Sequence, residues 1–250
     1  MEIVDLIFGC VGKLPEWLWF VIVGGPLLAM FLFHLSLGPR RSAQWKRIAL
    51  LLGFEYNGGD NSMVRALKPV GSHIAVDGFE TRVLEVLSNE ERGVQRWLLD
   101  HAGSKPRTLC TVCVMRSSGL HLPYFRLLSG SSVRLPKEQV VFQEDQEFSR
   151  IFMLITDDPA AIKRLFDPLV RRHFVRLFYR CRELERANTD RLDLLMLRVS
   201  NAIGRFEVEA SGDTVSVRLS RLINPQGAPE FLALTEETLQ ILKGKQGEMG

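Results

Sequence analysis

Hydrophobic and polar positions divide the chain into three regimes. The first is the run WLWFVIVGGPLLAMFLFHLSL at residues 17–37, which contains no Asp, Glu, Lys or Arg. At 1.5 Å per residue a helix of that length extends about 32 Å, enough for a hydrocarbon core, and a helix keeps its own backbone hydrogen bonds in lipid. The run therefore predicts a transmembrane helix, kinked near Gly24, Gly25 and Pro26. A buried soluble helix rarely runs so long without a charge. A cleaved signal peptide would open on basic residues, whereas this chain opens with Glu2, Asp5 and Glu16 against Lys13.

The second regime is the stretch SAQWKRIALLL, where Trp45, Ala49 and Leu52 share a helix face, Ser42 is placed to cap the start and Gly53 to stop the end. The third fills the rest of the chain with short runs rich in Val, Leu and Thr. TRVLEVLSN, VQRWLLDHA, RTLCTVCVMR, PYFRLL and SRIFMLIT predict a meandering antiparallel sheet. Asp158-Pro159 and Asp167-Pro168 each read as a cap followed by a first-turn proline, which predicts one helix ending near Phe166 and another from Pro168 to about Glu185. LDLLMLRVS, RFEVEA and TVSVRLS return to strand, the last two joined in a hairpin at Ser211-Gly212-Asp213, and a helix from about Pro229 to Lys243 closes the chain. The resulting expectation is an α+β fold: an N-terminal transmembrane helix, then a mostly antiparallel sheet packed with helices.

Charge orients the span. Arg40, Arg41, Lys46 and Arg47 follow its end closely, and positive residues stay inside. The expected organisation is a short extracytoplasmic N-terminus at 1–16, the span at 17–37, a basic juxtamembrane helix at 38–56 and a cytoplasmic α+β domain at 57–250, held at a bacterial inner membrane. Trp17 and Trp19 suit the outer interface and His34 the inner one. The chain carries +3 overall and residues 1–16 carry −2, so the remainder is +5. That suits a domain beside anionic lipid and falls short of the basic surface of a dedicated nucleic-acid binder.

Candidate chemistry is sparse. Cys110 and Cys113 have the spacing of a redox pair or half a zinc site, but residues three apart on a strand face opposite ways, so both read as small core side chains. The acids Glu144, Asp145, Glu147, Asp157 and Asp158 read as a polar loop and a helix cap. Phosphate-cradling Gly motifs, HExxH and a triad pattern are all absent, so the sequence assigns no catalytic residue, metal ligand or cofactor. An enzyme with a site assembled from distant residues, such as Asp100, His101 and His121, is the alternative class. The most distinctive surface feature lies between Lys163 and Arg186, where eight Lys or Arg meet three acids and Arg172, Arg176 and Arg180 recur every fourth residue. Such a stripe suits anionic headgroups or an acidic partner, and a solvated helix face is its simpler reading. With Arg40, Arg41, Lys46 and Arg47, these three are the candidate lipid- or partner-binding residues.

One pattern is familiar: Trp45, Ala49 and Leu52-Gly53-Phe54; Leu122-Pro123 with Phe125 and Leu127; Phe142 with Phe148-Ser149; and Arg164-Leu165-Phe166. It resembles uncharacterised bacterial single-span membrane proteins with a cytoplasmic α+β domain. The resemblance implies that Leu122, Phe125, Phe142 and Phe148 are core-strand positions and carries no catalytic residue. The functional expectation is a membrane-tethered, non-enzymatic binding or scaffold domain.

Overall fold

The computed structural model describes residues 25–59, 82–102, 109–130, 139–187 and 206–249. The chain divides into two compact units, Met1–Gln44 and Trp45–Gly250. Helix α1 spans Gly25–Leu52 without a break, so Ser42 lies inside it and caps nothing, and Pro39 is accommodated at the cost of one ladder hydrogen bond. Among the described residues no helix is long and apolar enough to cross a membrane. Of the expected span, the described residues include Gly25–Leu37, within α1. Residues 17–24 of the expected span lie outside the described residues.

The second unit is α+β, as its patterning predicts. Its strands are β1 (Glu55–Tyr56), β2 (Arg82–Glu91), β3 (Val94–Ala102), β4 (Leu109–Ser117), β5 (Leu122–Ser129), β6 (Gln139–Val140), β7 (Phe152–Thr156), β8 (Glu207–Gly212) and β9 (Thr214–Arg218). They form one sheet in the order β1-β2-β3-β4-β9-β8-β5-β7-β6, with every pairing antiparallel. Arg92 and Gly93, with φ of 52° and 73°, make the tight β2–β3 turn, whose doubly positive φ matches the twist of the flanking strands. The β8–β9 hairpin turns at Gly212-Asp213 and inserts between β4 and β5.

Register sorts the side chains into two faces. Across the sheet, Leu87, Leu98, Cys113, Val217, Val208, Leu127, Leu154 and Val140 are successive cross-strand partners, all buried in the main core. Their neighbours one residue along face the other way, where Val86, Leu99 and Val112 belong to a second, smaller cluster and the row continues into Arg218 and Glu207.

Helices α2 (Gln146–Ile151), α3 (Pro159–Leu165), α4 (Pro168–Ala187) and α5 (Ala228–Met249) complete the unit. Residues 149–151, expected as strand, instead end α2, because Asp145 accepts the Phe148 N–H at 3.1 Å and starts a helix there. Asp158 caps α3, and Asp167 accepts the Leu169 and Val170 N–H groups at 2.9 Å to start α4, so both Asp-Pro signals hold. Val170, Phe174, Leu177, Cys181 and Leu184 recur at three- and four-residue steps and put one side of α4 in the main core. Phe166 centres an aromatic cluster, with ring centroids 5.0 Å from Phe125 and 5.2 Å from Phe174. Leu122, Phe125, Phe142 and Phe148 are all buried, but only Leu122 and Phe125 lie on a strand; Phe142 precedes α2 and Phe148 sits within it, where the Asp145 cap starts a helix. The closing helix runs past Lys243 to Met249. The expected strand at 192–200 lies outside the described residues.

Candidate docking groove on helix α4

Burial of one side of α4 leaves Arg172, Arg176 and Arg180 on the opposite, exposed side. The structure pairs two of them with acids of α5. Arg176 meets Glu237 at 2.5 Å; Arg180 meets Glu230 at 2.8 Å and Glu183 at 4.0 Å. Arg172 donates from Nε to the Pro168 carbonyl at 3.2 Å and has no carboxylate within 4.0 Å among the described residues. Sequence reasoning missed Glu230 and Glu237 as partners. Their seven-residue spacing on one helix, against cations four apart on another, was the available signal.

All three arginines line a groove of about 430 Å³ together with Asp145, Glu147, Val175 and Tyr179. Tyr179 is 45% exposed, the one large aromatic so open among the described residues. Buried Arg171 braces the rim: it donates to Asp145 at 2.9 Å and to the Phe166 carbonyl at 3.0 Å, meets Glu144 at 3.2 Å and stands 4.4 Å from the Phe142 ring centroid. Asp145 is thereby a helix cap and an ion-pair partner at once.

Beside Arg176, against α5, lies buried His173. The Thr238 hydroxyl donates to the Leu234 carbonyl at 2.9 Å, so at 3.0 Å His173 Nε2 must be the donor to Thr238 Oγ1. That tautomer leaves Nδ1 to accept from Arg176 Nη2 at 3.4 Å. Burial pushes the imidazole pKa down to about 4; Glu237 opposes the shift and Arg176 adds to it. A neutral ring is the form this network accommodates.

The other candidates are elsewhere. Arg40 and Arg41 belong to the first unit; Lys46 and Arg47 are exposed on the α1 residues of the second, with Lys46 Nζ 5.2 Å from the Tyr56 ring centroid. Leu50 and Leu51 beside them are 83% and 70% exposed. Cys110 and Cys113 point to opposite faces, each in a different apolar cluster, and burial raises both thiols, Cys113 to about 12. Such thiols are poor nucleophiles and poor metal ligands. Asp100 and His101 face opposite sides of β3. Asp100 accepts from Trp45 Nε1 at 2.7 Å and Thr111 Oγ1 at 2.8 Å, whereas His101 lies 3.8 Å from Cys110 Sγ. His121 is exposed beyond the far end of β4, roughly 23 Å along the strand from the His101 pair, so the three share no site. No group of three or more His, Cys, Asp or Glu that could hold a metal ion occurs among the described residues.

No family model matches the chain, and no curated protein does. Among solved structures it is similar to the mycobacterial trehalose monomycolate transport factor A, TtfA, at 14% identity and a TM-score of 0.53. The match covers 81% of this chain and 94% of that one. At that identity the likeness is one of fold.

Proposed function

We propose that this chain is a membrane-tethered, non-enzymatic accessory domain at the cytoplasmic face of a bacterial inner membrane, and that it docks a protein partner along α4. The observation that carries the docking part is the α4 groove. It puts exposed Tyr179 next to Arg172, a guanidinium without a carboxylate partner among the described residues, on a rim held by two helix-to-helix ion pairs. Tyr and Arg are, with Trp, the residues enriched where binding energy concentrates. Such a surface suits an acidic segment bearing an apolar anchor.

The tether is supported by the uncharged run at 17–37 and by Arg40, Arg41, Lys46 and Arg47 behind it. An accessory role is supported by the fold it shares with TtfA, a trehalose monomycolate transport factor. Alkaline washing of membranes should retain the full chain and release a form lacking residues 1–38. Release of both would remove the tether. With the fold verified by thermal melting, Arg172→Glu combined with Tyr179→Ala should abolish co-isolation of a partner held by the parent protein. Unchanged retention would remove the groove.

A further inference from the structure

The sheet face turned away from α4 and α5 carries a second groove at its β1–β3 edge. Glu55, Ser88 and Trp97 are cross-strand partners in one row, and Glu90 and Gln95 are partners in the next. These five, with Asn89 and Gly53, line a volume of about 400 Å³, within the range of small-molecule sites. Hydrogen bonds tie the lining residues together. Gln95 Nε2 donates to Glu90 Oε2 at 3.1 Å, Asn57 Nδ2 donates to Ser88 Oγ at 2.9 Å, and Asn89 Nδ2 donates to the Gly53 carbonyl at 2.8 Å. Trp97 is half-buried on the smaller apolar cluster, with the Arg116 guanidinium 5.6 Å from its ring centroid, and Arg116 is not part of the groove lining.

This chemistry narrows the ligand. Two carboxylates with no cation among the lining residues repel an anion. A lining dominated by hydroxyl, amide and carboxylate groups offers little to an apolar molecule. Glu90 already accepts from Gln95, while the second Glu90 oxygen, Gln95 Oε1 and the Ser88 O–H are left to bond outward. A sugar matches that set: its C–H face lies on an indole, and its rim hydroxyls donate in pairs to carboxylates and amide oxygens.

We infer that the groove beside Trp97 binds the neutral sugar portion of a ligand, one or two hexose units in size. The site shares no residue with the α4 groove, so the inference stands or falls separately from the docking proposal.

The test uses the full chain in a detergent without a sugar headgroup. Saturation-transfer NMR would be recorded with trehalose and maltose, and with spermidine as a cationic control. The expected result is transfer to the ring C–H protons of at least one disaccharide. Trp97→Ala should reduce it at least fivefold, and Glu90→Gln, which preserves volume, should weaken the dissociation constant about tenfold. Binding unaffected by Arg172→Glu would confirm that the two grooves are separate sites. Absence of transfer to both disaccharides, transfer undiminished in both groove variants, or binding of spermidine alone would overturn the inference.

Discussion

The two faces of the sheet are built from the same strands and obey different chemistry. The helix-covered face carries an unbroken apolar row from Leu87 on β2 to Val140 on β6, and its buried charges are paired locally: Asp100 accepts from Trp45, and Arg96 meets Glu236 of α5 at 3.1 Å. On the opposite face the apolar cluster is confined to β2–β4, where the polar groove adjoins it, and past β4 the face turns ionic. There Glu207, 1% exposed, pairs with Arg126 and lies 3.5 Å from Arg218. A sheet of this kind specifies its register twice, once by burying an apolar row and once by matching charge. A one-residue slip of β8 would put Glu207 and Glu209 under the helices and Val208 among the arginines.

Substitutions sharpen this contrast. Phe166→Ala, at the centre of the aromatic cluster on the helix side, should cost about 4 kcal/mol, read as a lower denaturant midpoint at unchanged slope. Glu207→Gln on the other face should cost about 3 kcal/mol, because it strips a buried counter-charge from two guanidiniums that stay partly enclosed. If the ionic side were decorative, that variant would melt like the parent, and only the apolar face would set the register.

Protonation offers a smaller effect on the helix side. The His173 pKa is depressed from 6.5 to about 4 in the folded chain, so between those values the unfolded state binds more protons. Stability should be fully present above pH 6.5 and fall by roughly 2–3 kcal/mol as the pH drops toward 4. Other groups titrate in that window, so the contribution is isolated by the difference from His173→Gln, which should follow a flatter profile over it. The smallest effect should come from Arg176→Ala. Its ion pair with Glu237 is largely exposed and contributes at most about 1 kcal/mol, shrinking further in high salt.

Local features were legible in the sequence where the physics is local. Alternation placed seven of the strands close to where they stand, the Asp-Pro pairs marked two helix starts, and the strand period separated Cys110 from Cys113. Asp145 was read as part of a polar loop because a cap without a following proline leaves a weaker mark. Strand order was not legible. The β8–β9 hairpin pairs with strands roughly a hundred residues earlier in sequence, such as Val112 with Arg218, and nothing local announces such a partner. The same distance hid the arginine stripe's counter-charges, since Glu237 and Glu230 lie 61 and 50 residues from the cations they meet.

Docking along α4 is the central claim, and a photo-crosslinking amino acid at position 179 in native membranes tests it most directly, with position 92 on the β2–β3 turn as the control. The account predicts a discrete adduct from 179 that is absent from 92 and disappears when Arg172→Glu is added. Identical adducts from both positions, or none from 179, would contradict it.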